Sequence, residues 1–197
     1  MNKKKVKKVA NYIVITAVLV LGISLFFFVK KDKKQVKHQN LSTKIISFEN
    51  LTDMENQSPI IVKGIRVGES EPRIEYYRNS VCDAFTYSDF KITKVIKAEE
   101  NQDIIMEDAM IKVQEESAYD KKTNTMYHTC GYELMNEGEE YLLFLRPSPP
   151  DHSYLIRGVI YGKVAMNQKN KGSEFATENI PSKIIEIIDE AREKYKN

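Results

Sequence analysis

The stretch Tyr141-Leu142-Leu143-Phe144-Leu145-Arg146, followed by Pro147-Ser148-Pro149-Pro150-Asp151, decides how this chain folds. It is too apolar for a strand with one wet face, so it predicts a strand running through a core. Three prolines cannot donate to a strand ladder, so they predict a turn directly after it. Downstream, Tyr154-Leu155-Ile156-Arg157-Gly158-Val159 and Tyr161-Gly162-Lys163-Val164-Ala165-Met166 read as further strands. Upstream, Ile60-Ile61-Val62-Lys63-Gly64-Ile65-Arg66-Val67 is β-branched and partly alternating, and Gly68 closes it. Arg73-Ile74-Glu75-Tyr76-Tyr77-Arg78 is a second candidate, and Ala109-Met110-Ile111-Lys112-Val113-Gln114 another. Between them, Ala84-Phe85-Thr86-Tyr87 runs into Phe90-Lys91-Ile92-Thr93-Lys94-Val95-Ile96-Lys97. Its phase shifts near Thr93, which predicts a bulge. Ile104-Ile105-Met106 is expected to pair weakly, and residues 120–124 to form an exposed loop.

After Met166 the period changes. Ile184, Ile188, Ala191 and Tyr195 recur at helical spacing, widened by Ile185 and Ile187, and Pro181 suits a first turn. The expected fold is therefore mainly β: short strands forming a small barrel or sandwich, followed by a C-terminal amphipathic helix that caps its open side.

The other decisive segment is residues 9–29, VANYIVITAVLVLGISLFFFV, 21 residues without a charge. At 1.5 Å per residue it spans roughly 30 Å, the thickness of a bilayer core. Phe26-Phe27-Phe28-Val29-Lys30-Lys31 offers no small residues for signal cleavage, so an uncleaved anchor is expected. Lysines flank both ends in equal number, and their count alone does not orient the span. The short charged amino terminus favours a cytoplasmic tail at residues 1–8. The expected organisation is then a tail (1–8), a transmembrane anchor (9–29), a stalk (30–56) and an extracytoplasmic domain (57–197). The stalk carries three Asn-x-Ser/Thr triplets, at Asn40, Asn50 and Asn56, read as chance in a polar stretch.

The net charge of +2 hides an asymmetry. Residues 1–37 hold ten lysines and one Asp, a net +9, and residues 38–197 hold 20 basic and 27 acidic residues, a net −7. The basic flanks suit anionic headgroups. The acidic domain argues against nucleic acid, which needs a basic face. The expected partners are the membrane, through residues 9–29, and an extracytoplasmic protein.

Two cysteines, Cys82 and Cys130, in an exported domain predict one disulfide; the alternative is two unpaired thiols. The bond would close a loop of about 48 residues and contribute up to ~4 kcal/mol. His128-Thr129-Cys130 is the one His/Cys cluster, and it would suit a thiol nucleophile with a His base or half a zinc site. Pairing with Cys82 would remove both options. The pairs Glu99-Glu100, Glu107-Asp108, Glu115-Glu116 and Glu139-Glu140 alternate faces on strands and read as solvated surface. No catalytic, metal or cofactor motif stands in the chain, and the residues that bind a partner are not named by it.

Cys130-Gly131-Tyr132-Glu133-Leu134-Met135-Asn136-Glu137-Gly138-Glu139-Glu140-Tyr141-Leu142-Leu143-Phe144 resembles a segment of the netrin/TIMP-like (NTR) module. Ile60 to Ile65 is similar to its opening strand. Phe90 to Lys97 is similar to the strand before its Lys-Gly turn, with Ala98 where Gly is usual. The resemblance covers residues 59–166 and implies an OB-like five-stranded barrel. Metalloproteinase inhibitors of that family chelate zinc with a mature N-terminal cysteine. This chain has no cysteine before Cys82, so no functional residue carries over. The functions these readings support are a membrane-anchored binding module without catalysis, a protease inhibitor or immunity-type protein, and an unrecognised hydrolase. For the inhibitor, residues 73–78 and 119–127 are the loops of interest.

Overall fold

The computed structural model describes residues 35–69, 72–99, 104–149, 152–167 and 174–196. The expected tail and anchor lie outside the described residues. Among the described residues no helix is long and apolar enough to cross a membrane. The elements are β1 (Lys37–Leu41), α1 (Leu51–Gln57), β2 (Ile60–Glu69), β3 (Arg73–Tyr77), β4 (Ser80–Ala98) and β5 (Met110–Glu115). They continue with β6 (Ser117–Asp120), β7 (Thr125–Thr129), β8 (Glu140–Ser148), β9 (Ser153–Ile156), β10 (Lys163–Ala165) and α2 (Ser182–Lys194).

Five strands close a ring in the order β8, β2, β4, β5, β9 and back to β8. All neighbours are antiparallel except β5 and β9, which run parallel. The apolar run of β8 lies inside, as its composition demands: Tyr141 to Leu145 are all buried. β2 sits between β4 and β8, so Ile60, Ile61 and Val62 are buried together. At Gly64 an added Cβ would stand 2.9 Å from Phe90 Cζ, and the Lys91 carbonyl is closer still. Only glycine lets β2 and β4 approach there. The expected bulge is real: Lys63 opposes Lys94 and Gly64 opposes Ile92, leaving Thr93 extra.

The ring's exterior carries the rest. β10 pairs along β8, and α2 buries Ile184, Ile187, Ile188 and Ala191 in the same core. A buried ion pair fixes the helix: Arg192 Nη2 donates to Glu174 Oε1 at 2.5 Å, and Arg192 Nε donates to the Ala165 carbonyl at 2.8 Å. β3 forms a hairpin with the outer half of β4, and β1, β7 and β6 form a second sheet in that order.

Several expectations change. The described part of the expected stalk belongs to the folded body. Phe48, Leu51 and Met54 are buried, and Asn50 caps α1 by accepting from Asp53 N at 2.9 Å. Asn40 accepts from Gly131 N at 2.8 Å, so it too has a structural task. Residues 104–106 form no strand, and β8 runs past the expected turn start, through Pro147 to Ser148, where it pairs with Tyr154 and Ser153 of β9. The expected bond between Cys82 and Cys130 is absent, and both thiols are free. Cys82 is exposed on the β3–β4 hairpin, its thiol donating to the Glu75 carbonyl at 3.5 Å. Cys130, in a positive-φ turn after β7, instead points its thiol at the Thr43 carbonyl at 3.6 Å. The two side chains are committed to different elements.

Candidate binding groove

The β3–β4 hairpin turns at Arg78 and Asn79, both with positive φ (46° and 68°). Two such residues make the tight turn whose twist matches paired strands. The hairpin carries Arg73, Tyr76, Tyr77 and Arg78 outward, with Tyr76 55% and Tyr77 62% exposed. Arg78 lies 5.2 Å from the Tyr77 ring centroid, and Arg73 lies 5.4 Å from that of Tyr87. Beneath them Ile74 packs on a small cluster of Ala84, Ala118 and Tyr127.

Opposite stands the turn joining β6 to β7. Asp120 organises it, accepting from Lys122 N at 2.8 Å and from Thr123 Oγ1 at 2.7 Å. The Thr123 hydroxyl bond leads in holding the Asp120 carboxyl below the usual carboxylate range. Tyr119 OH donates to Asn124 Oδ1 at 2.8 Å, fixing the far side of the turn. Tyr76 OH donates to Asp120 Oδ2 at 3.1 Å and ties the two hairpins together. Between them lies a cavity of about 380 Å³ lined by Pro72, Ile74, Tyr76, Tyr119, Asp120, Lys121 and Lys122. The two loops singled out in the sequence, 73–78 and 119–127, thus meet in one groove. Lys121 and Lys122 are exposed there, and Arg73 and Arg78 are exposed on the adjoining hairpin, in a body of net negative charge.

A buried polar cluster lies where the ring meets the segment after β7. Glu115 is fully buried, which corrects its reading as solvated surface; only its neighbour Glu116 alternates outward. Its carboxylate accepts from Met135 N at 2.6 Å, from Tyr132 OH at 2.9 Å and from Ser88 Oγ, with Arg66 Nε 3.8 Å away. Burial pushes the Glu115 carboxyl up, and Lys163 and these donors oppose the shift. Lys163, also buried, sits 3.8 Å from the Tyr132 ring centroid and donates to the Glu133 carbonyl. Burial lowers it to about 8.

His128 lies on β7 and Cys130 in the turn after it. Among the described residues no group of three or more His, Cys, Asp or Glu could hold a metal ion. His152 stands exposed at the β8–β9 turn, away from both. His38 is the partner that sequence reasoning missed: its Nδ1 lies 2.9 Å from His128 Nε2, across 90 residues. No family model matches the chain, and no curated protein matches it.

Proposed function

We propose that this chain is a membrane-anchored, extracytoplasmic binding module of OB-like, netrin/TIMP-like architecture. Its groove between the β3–β4 hairpin and the β6–β7 turn takes an acidic surface segment of a protein partner. The circuit β2, β4, β5, β9, β8, with its one parallel pair, supports the OB-like reading. OB folds place ligands at the loop between their first two barrel strands, which here holds the β3–β4 hairpin. The apolar run at 9–29 supports the anchor.

The observation that carries the reading is the groove's composition. Exposed tyrosines and arginines are the side chains that dominate binding energy at protein interfaces. Here Tyr76 lines the cavity with Lys121 and Lys122, and Tyr77, Arg73 and Arg78 are exposed on the same hairpin. A basic rim on an acidic body steers an acidic partner to one place. The test is a photo-crosslinking residue placed at Tyr77 or at Lys183 in the full chain, irradiated in intact cells. Lys183 lies on α2, with its side chain 55% exposed. A discrete adduct from position 77, absent from position 183 and lost on Lys121→Glu with Lys122→Glu, is expected. Equal adducts from both positions, or none from 77, would refute the proposal.

A further inference from the structure

We infer that His38 and His128 form an acid-sensitive catch that holds β1, the strand by which the chain enters the folded body. The two imidazoles are joined edge to edge. His38 Nδ1 lies 2.9 Å from His128 Nε2, and the ring planes differ by 7°. Protonation states follow from the partners of His128. Its Nδ1 faces the Tyr132 carbonyl at 2.9 Å, and a carbonyl only accepts. His128 Nδ1 therefore carries a hydrogen in every bonded state. Ser117 Oγ, 3.2 Å from the same nitrogen, gives its own proton to the Tyr127 carbonyl at 2.7 Å, so it accepts as well.

With Nδ1 fixed as donor, neutral His128 has one lone pair left, at Nε2, and it accepts from His38 Nδ1–H. One added proton preserves the bond, because one nitrogen of the facing pair still accepts. Two added protons destroy it: N–H then faces N–H, between two cations. Histidine is the side chain whose ordinary charge change falls between pH 5 and 8, so acid is the perturbation that tests this bond.

One carboxylate faces the pair. Glu133, on the segment after β7, has a carboxylate oxygen 3.8 Å from His128 Nδ1. β6 contributes Ser117 on this face, and β1 contributes Asn40. Lys37 and Gln39 of β1 alternate to the opposite face, with Tyr127. Ala84 of β4 packs on that opposite face as well. His128 is buried and His38 exposed, so water reaches the pair from the β1 side.

β1 has little else to keep it. Lys37 to Asn40 are exposed, and only Leu41 joins an apolar cluster. The strand is otherwise held by its parallel ladder to β7, by Lys37 N on the Asn124 carbonyl (3.0 Å), by Cys130 N on the Leu41 carbonyl (2.8 Å) and by Asn40 on Gly131 N. An edge strand with so little buried surface lies at the low-stability end of a fold. Acid thus frees β1 while the ring stays closed. Release lengthens the chain ahead of the body by about 16 Å, at roughly 3.3 Å per residue over the strand.

The test is hydrogen exchange of the full chain in detergent micelles at pH 7.5 and 5.0, corrected for intrinsic rates and read by mass spectrometry. Amides of β1 and β7 should lose protection at least tenfold at pH 5.0, while β8 keeps its own. In His38→Asn, which leaves buried His128 in place, protection should differ less than twofold between the two pH values. Unchanged wild-type protection, equal loss in β8, or a wild-type pH response in His38→Asn would each overturn the inference.

Discussion

Removing the Glu115 carboxylate should cost the fold more than any exposed charge could. Glu115→Ala takes away the acceptor of Tyr132 OH and of Met135 N–H, both in a dry interior. Ser88 and Arg66 recover in part, because Arg66 Nε also donates to Ser88 Oγ at 3.2 Å and Nη1 donates to the Met135 carbonyl at 2.9 Å. An orphaned buried donor costs about 1–3 kcal/mol. Two of them, less the relief of no longer burying a carboxylate, give about 3–4 kcal/mol, a large part of a domain's ~5–15 kcal/mol. Glu115→Gln keeps one oxygen but turns an NH2 toward donors, and should cost roughly half as much. Equilibrium urea unfolding, followed by circular dichroism, measures both. Tyr132→Phe in the same background should couple to Glu115→Gln by about 1 kcal/mol in a double-mutant cycle. A Glu115→Ala cost below about 0.5 kcal/mol at unchanged m would refute this reading of the cluster.

Glu116, raised from 4.5 to about 7 first by burial and then by Asp83, gives a pH signature. A carboxyl with a raised folded value contributes stability that is full below about 4.5 and lost as pH rises through 7. Glu116→Gln should therefore match wild type at pH 4.5 and exceed it by about 2 kcal/mol at pH 8, after allowance for partial exposure, as thermal melts at both pH values would show. Gly64→Ala has no room beside Phe90 and the Lys91 carbonyl, and should lower stability by about 3 kcal/mol or prevent folding; soluble yield and urea midpoint report it.

The parts of this fold that a sequence shows are those set by neighbours along the chain. The apolar density of Tyr141 to Leu145, the phase slip at Thr93 and the helical stripe from Ile184 to Tyr195 each reflect local periodicity, and each matches an element. What stayed hidden depends on distant partners. Glu115 and Glu116 look alike in sequence, and only the closing of the ring around Ser88, Tyr132 and Met135 separates a buried acid from a half-exposed one. β1 has no apolar alternation, because β7 holds it through backbone and polar bonds. α1 spans seven residues, too few for a periodic signal, though Asn50 three residues before Asp53 is a cap that could have marked it. An even cysteine count suggested a pair, but count carries no direction, and Cys82 and Cys130 point to different carbonyls. The groove was legible as two loops and not as one place, since Tyr76 and Asp120 are 44 residues apart.

The proposed binding role requires the exposed hairpin to face the outside of the cell. Cys82 reports this directly, being an exposed free thiol on that hairpin. A membrane-impermeant maleimide applied to intact cells should label the full chain without prior reduction, and Cys82→Ser should remove most of the signal. Labelling that requires lysis would place the hairpin inside and contradict the account.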